Sequence, residues 1–335
     1  MMTRRSVLHY LAGSWAACRR QAPAAETRRH VQTVTGPVSD LGPTLMHEHI
    51  VTDLRSPSER RPGDYDPAQA YETALPYLRE LHQTGCRGLV EPTPIHIGRD
   101  PNVLRRLSKA SNIRIVAATG IYGAAEHKFV PQYAREQNAQ QLADGYIREY
   151  EEGIQSTRIR PGIIKTGVNP DVPLPQIEQK LVLAAVLAHK ATGLTVASHT
   201  GSGAAALAQL GILESAGAVP SRFIWVHAQN EKDHGLQRQL AREGMWMEFD
   251  GIGPTSLDWH LECVQFMADA GLLGRVLISQ DAGWYRPGEP GGGKFRDYKY
   301  LFTNFLPALE KAGFSKSDVR QLIAINPMRA LSGAR

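Results

Sequence analysis

A few residues of this chain combine types and spacings that suit metal chemistry. His47-Glu48-His49 closes a β-rich run. Residues two apart on a strand face one side, so both imidazoles can point into one space. His199, His227 and Asp281 stand at the ends of three later apolar runs. Imidazole and carboxylate donors suit zinc, manganese, cobalt or iron, and no thiolate biases the choice. The chain has 12 histidines, so four are easily picked; the other eight fall in the leader, in loops or in predicted helices. Lys165 sits inside the short run Gly162-Ile163-Ile164-Lys165-Thr166-Gly167. A buried ammonium loses its solvation and drifts toward the neutral amine. A neutral amine can add carbon dioxide, giving a carbamate whose two oxygens can bridge two cations. Pairing with Asp281 and contact with substrate are the alternatives for this lysine.

These residues need elements that bring them together. Eight predicted strands (Thr44–His49, Gly88–Thr93, Ile113–Gly120, Gly162–Gly167, Leu194–His199, Arg222–His227, Met245–Asp250 and Arg275–Asp281) alternate with helical stretches. Pro67–Thr84 starts behind an Asp66 cap with proline at the first helical position, and Ile177–Thr192 stops at Gly193. The last helix starts near Ser317 and should end before Asn326-Pro327. Alternation of this kind implies parallel βαβ units, and eight of them point to a closed (β/α)8 TIM barrel, with an open doubly wound sheet as runner-up. In such a barrel the strand ends converge on one mouth, which is where His47, His49, His199, His227 and Asp281 would meet.

Residues 31–335 read as a single domain, and residues 1–30 as an export leader. The leader holds six arginines against one glutamate, which accounts for the whole net charge of +5. A basic pI therefore does not argue for a nucleic-acid partner. Arg4-Arg5 precede a short apolar stretch and an Ala22-Pro23-Ala24 site, a twin-arginine-type pattern with a periplasmic destination; a cytoplasmic chain, or a lipid anchor at Cys18, is the alternative. No later apolar run approaches the ~20 residues of a membrane span. The composition, 42% hydrophobic and 21% charged over 335 residues, excludes disordered, collagenous and disulfide-scaffold classes. Cys86 and Cys263, with no Cys-x-x-Cys pair, can be paired or free.

The ordered set, with "GPTLMHEHI", "RIVAATGIY", "RPGIIKTG" and "GRVLISQDA", resembles the phosphotriesterase family of the amidohydrolase superfamily. The resemblance implies a binuclear centre, with His47, His49 and Asp281 on one divalent metal and His199 and His227 on the other. Carbamylated Lys165 and a hydroxide would bridge the two, zinc leading as the metal, and Asp281 would also serve as base. The family often forms homodimers. Organophosphate-cleaving members carry an acid three residues after the strand-six histidine and a histidine after the strand-seven aspartate; here Asn230 and Gly251 stand there. "MEFDGIG" and the C-terminal segment are similar to the phosphotriesterase homology branch, many of whose members have glutamate in place of Lys165, so the bridging pattern is lactonase-like. That leads to hydrolysis of carboxylic esters, lactones first, with weak phosphotriesterase activity. Amide hydrolysis of small N-acyl compounds and a non-catalytic binding barrel are the rivals.

Three residues are expected at the substrate. Tyr122 follows strand three, where lactonase-like members place a tyrosine beside the metals. Trp284 and Arg286 open the long loop Ala282–Tyr300, offering an apolar wall and a cationic anchor. Packing of these residues against the rim is the plainer reading. Glu91 is expected behind a metal-bound imidazole. Gly201-Ser202-Gly203-Ala204-Ala205-Ala206 mimics a dinucleotide turn, but the next strand ends in His227 with no acid for a ribose, so close packing explains it better.

Overall fold

A computed structural model describes residues 30–332. The chain opens on an antiparallel hairpin, β1 (Val31–Thr33) with β2 (Gly36–Val38). Then come β3 (Thr44–Leu45), β4 (His49–Val51), β5 (Gly88–Glu91), β6 (Arg114–Thr119), β7 (Ile163–Val168) and β8 (Thr195–Thr200). β9 (Phe223–Val226), β10 (Trp246–Phe249), β11 (Val276–Ile278) and β12 (Gly283–Tyr285) complete the strands. The helices are α1 (Pro67–Gln83), α2 (Pro101–Ser111), α3 (Gln132–Glu136), α4 (Ala139–Glu152), α5 (Gln176–Thr192) and α6 (Gly203–Ser215). They continue with α7 (His234–Arg242), α8 (Leu257–Asp269), α9 (Leu306–Lys311), α10 (Lys316–Arg320) and α11 (Asn326–Leu331).

Eight parallel strands run in the order β3-β5-β6-β7-β8-β9-β10-β11, with helices outside. The seam between β11 and β3 is drawn together by the Asp281 N–H, which donates to the His47 carbonyl at 3.0 Å, and by parallel pairing of β12 with β4. The result is a nearly closed TIM barrel. Its interior is packed by alternate strand residues, including Val116, Ile163, Ala197, Ile224, Trp246 and Leu277, and is plugged by Val31 and Leu331. The opposite strand faces, such as Leu89, Ile164, Val196 and Met247, bury against helix residues such as Leu78, Leu181 and Val264. Each such side chain contributes about 1.5–3 kcal/mol on leaving water.

This alternation sets the site. Two residues beyond an apolar interior position, the next inward residue lies nearer the mouth: Lys165 above Ile163, His199 above Ala197, Glu248 and Asp250 above Trp246, Asp281 two steps above Leu277. His227 is out of phase, because Ile224 and Val226 already face inward. Its left-handed backbone, φ 63°, turns it back toward the interior.

Two expectations change in detail, and one open alternative is decided. The expected strand Thr44–His49 is broken, with Met46–Glu48 standing between β3 and β4, because β4 leaves the barrel ladder to pair with β12. The last helix does not stop before Asn326-Pro327. It widens into a π turn over Gln321–Ile325 and continues as α11, while the Asn326 amide donates to the carbonyls of Leu273 and Val276. Cys86 and Cys263 are both free and buried, and burial pushes each thiol up to about 12. The leader, Cys18 included, lies outside the described residues.

Candidate active site

A cavity of about 100 Å³ opens at the barrel mouth, lined by His47, His49, Lys165, His199, His227 and Asp281 together with Tyr122 and Trp284. Thr52, Leu54, Pro92, Pro94 and Ile97 complete the wall. The ring centroids of His199 and His227 are 4.5 Å apart, and His47 lies 5.2 Å from both His49 and His227. Ligand atoms of His47, His49 and Asp281 all fall within 4.8 Å of one another.

The imidazoles are held from behind. His227 Nδ1 is 2.6 Å from Asp250 Oδ1, and His47 Nδ1 is 3.2 Å from both Asp250 Oδ2 and Glu248 Oε2. Burial pushes the Asp250 carboxyl up, but the charge and hydrogen bond of His227, with those of His47, outweigh it and hold the group well below the usual range. Asp250 is therefore a carboxylate that accepts from His227 Nδ1, while His47 Nδ1 bonds Glu248 Oε2 with Asp250 Oδ2 equally near. That leaves each Nε2 as the lone-pair donor. Glu248 goes the other way, pushed up by burial and by the nearby Asp250 charge. His47, His227 and Asp250 also cluster closely enough for an ion, but Asp250 has no exposed side-chain surface and engages the Nδ1 edges, so it belongs behind the imidazoles.

His49 is oriented differently from the expectation. Its Nδ1 meets Thr93 Oγ1 at 2.7 Å, and Thr93 in turn donates to Glu91 Oε1. Glu91 thus acts through Thr93, standing 3.7 Å from the ring nitrogen. Between the two histidines, Glu48 turns away and accepts from Ser279 Oγ and from the Gln280 and Ala282 N–H groups. Burial raises its carboxyl to about 8 against those bonds. Glu48 therefore locks the β3–β4 break to the segment that carries Asp281.

Two groups at the cavity are conspicuously unspent. Asp281 Oδ1 is buried and accepts no hydrogen bond; its nearest partner is His49 Nε2 at 3.4 Å. Burial raises the Asp281 carboxyl. Lys165 is 3% exposed. Burial lowers its amine despite the charges of Glu248, Asp250 and Asp281. No ion pair within 4.0 Å joins it to Asp281, so the simple pairing read from sequence is not formed. Asp281 (φ 51°) and His227 both adopt left-handed backbone, a conformation that costs energy and tends to mark functional positions.

The substrate candidates separate. Tyr122 meets His199 edge to face at 5.2 Å, and Trp284 meets His49 likewise. Arg286 is exposed, lies outside the cavity lining and faces Glu289 at 3.5 Å. Arg296, which sequence reading missed, donates to the Asp281 carbonyl and sits 5.6 Å from the Trp284 ring. Thr93, Glu248 and Asp250 were missed too. The signal for the last two was available, since both share the inward phase of Trp246. Gly203 packs against Leu236 and Glu231, where a Cβ would come within 2.8 Å of a carboxylate oxygen, in keeping with a packing role for that glycine turn.

A parallel barrel with histidines, lysine and aspartate converging at its mouth defines a class of barrel hydrolases. The model of the phosphotriesterase family matches residues 29–331, and the chain belongs to that family. It is a phosphotriesterase-family hydrolase. Among relatives, it is 30% identical to the phosphotriesterase homology protein of Escherichia coli K12, over 85% of this chain and 96% of that one. It is 29% identical to the N-acetyltaurine hydrolase of Dictyostelium discoideum, over 78% and 73%. Its fold is similar to that of the organophosphorus hydrolase of Deinococcus radiodurans, with a TM-score of 0.82 and 28% identity over 91% and 97% of the two chains. A structure from the engineering of organophosphate hydrolysis out of a weak promiscuous lactonase template gives 0.80 and 28%, over 90% and 100%.

Proposed function

We propose that the chain is a metal-dependent hydrolase of carboxylic esters, with lactones the leading substrates. The observation that carries this reading is the unspent donor set: Asp281 Oδ1 accepts no bond, and imidazoles tethered at Nδ1 face the same small cavity. These residues fit a pair of divalent cations. His47, His49 and Asp281 would hold one, His199 and His227 the other, and carbamylated Lys165 would link them. Zinc leads, and manganese, cobalt and iron suit the same donors. Such a pair supplies a hydroxide nucleophile at neutral pH and polarises the oxygen of the bond to be cleaved.

The chain's own residues do the rest. Asp281 can accept the proton that water gives up. Tyr122 orients the acyl group beside His199. Trp284, Leu54 and Ile97 shield it from water. A cavity of about 100 Å³ admits a small ring or acyl chain. The solvent relay of efficient phosphotriesterases has Asn230 and Gly251 at its positions here, so cleavage of phosphotriesters is a weak side reaction. The lactonase template among the structural neighbours supports the ester reading.

Arg296 favours a second reading. Its guanidinium is exposed, outside the cavity lining but beside Trp284 of that lining, and would meet the anionic end of a small N-acyl compound, the kind of substrate for which the Dictyostelium relative is named. The two readings part on kcat/KM of the metal-loaded chain for matched lactone, phosphotriester and N-acyl amide substrates. A lactone lead of about a hundredfold, ~2.7 kcal/mol of transition-state stabilisation, is expected. Faster turnover of an anionic amide would overturn it in favour of the second reading.

A further inference from the structure

We propose that His260 and Gln229 form a brace, built into the room that Gly251 leaves, which sets His47 and His227 through Asp250. The inference rests on the metal reading above. His260 lies in α8 and is 1% exposed. Its Nδ1 meets the Ser256 carbonyl at 2.7 Å, which makes Nδ1 the donor and leaves Nε2 an acceptor. That Nε2 is buried and receives no hydrogen bond. A buried polar atom left so is expensive, about 1–3 kcal/mol, and calls for an explanation.

The explanation lies across the backbone of Gly251. A Cβ there would stand 2.9 Å from Gln229 Nε2 and 3.4 Å from His260 Nε2, so both nitrogens border the same point. Gln229 is itself committed to Asp250: its Oε1 accepts the Asp250 N–H at 3.2 Å, and its Nε2 donates to Oδ1 at 2.8 Å. A carboxamide has a second N–H. The bare Nε2 of His260 borders the same point, so in the brace it would accept that hydrogen. With that link closed, the chain would run from the Ser256 carbonyl through His260 and Gln229 to Asp250, which already meets the Nδ1 atoms of His227 and His47. His260 is a positioning residue: it touches no substrate and lies outside the cavity lining. Its part is to fix the carboxamide that fixes the carboxylate. Gly251 is the condition for the brace, because any side chain at that position would press on the Gln229 amide.

The test uses the full chain with His260→Leu, His260→Gln and Gly251→Ala, and reads zinc retention against a chromogenic chelator alongside the unfolding midpoint of each metal-free protein. Residues behind metal ligands typically govern about 10–100-fold in affinity, and His260→Leu and Gly251→Ala should each lose that much. His260→Gln, whose side-chain oxygen can replace Nε2 as acceptor, should stay within about threefold of the parent. Gly251→Ala changes no residue of α8 and presses first on the Gln229 amide, so it strains the brace from the opposite side to His260→Leu. Undiminished zinc retention in His260→Leu and Gly251→Ala overturns the proposal, even if their midpoints fall. So does a His260→Gln variant no better than His260→Leu. A parent chain that binds no zinc overturns the metal reading itself, an outcome distinct from failure of the brace alone.

Discussion

On the proposed reading, Lys165 is the residue on which the chemistry turns. It is buried inside β7, and burial lowers its amine below the usual 10.5. In the metal-free chain this is a cost. The unfolded lysine binds a proton that the folded one resists, so stability should rise with pH between the lowered folded value and 10.5. Lys165→Met removes the charge at similar length. It should raise the midpoint of the metal-free protein near pH 7 by about 2 °C or more, while abolishing hydrolysis. Thermal melts of both proteins at pH 7 and 9.5 check this: the gap between them should narrow at pH 9.5, and a gap that does not narrow contradicts it. At this scale the sequence was informative wherever a polar residue interrupts an apolar strand, as Lys165, His199 and Asp281 do. It was uninformative where a second residue intervenes. Thr93 between His49 and Glu91 is invisible without coordinates, and Arg296 reaches Asp281 across 15 residues of loop.

Among the elements, the β4–β12 pairing holds His49 and Asp281 in register. Gly283 opens it opposite His49 with φ 92°, and a Cβ there would fall 1.8 Å from the His49 carbonyl oxygen. Gly85 has a similar φ of 98°, and a Cβ there meets nothing within 4 Å. Gly85→Ala should therefore cost only backbone strain, about 1 kcal/mol, whereas Gly283→Ala adds a clash with backbone and should cost at least about 3 kcal/mol. Urea unfolding of the pair measures the difference, and equal losses would contradict the account. The barrel strands were legible because period-two burial and strand-end polar residues coincide. The β3–β4 break was not, since His-Glu-His reads as ordinary alternation. Only the competing pairing with β12, far along the chain, pulls the strand apart. The π turn before Asn326 escaped for a like reason: tertiary contacts of the Asn326 amide sustain a helix that proline should end.

For the whole molecule, the charge balance and the barrel describe different parts of the chain. The excess positive charge belongs to residues 1–30, and the barrel begins at β3, after the β1–β2 hairpin. No helix among the described residues is long and apolar enough to cross a membrane. If the basic-then-apolar leader directs export, protein taken from the cell envelope should lack roughly residues 1–24 by intact-mass spectrometry. An uncut N-terminus there contradicts that reading. Eight strands alternating with helices sufficed to read the barrel from sequence. The two mouth loops did not show how they interlock, because Arg55, Asp64 and Gly288 meet across them only once the barrel closes.

The central claim is that catalysis belongs to a two-cation centre with Asp281 as its base. The direct measurement is a titration of metal-free chain with zinc in bicarbonate, following lactone hydrolysis and bound zinc together, for the parent and for Asp281→Asn. The account predicts no turnover without metal and activity that saturates as the second equivalent binds. Asp281→Asn should fold and lose about 10²–10⁴-fold in kcat. Full turnover in chelator, or an Asp281→Asn variant that turns over at the parental rate, would contradict it.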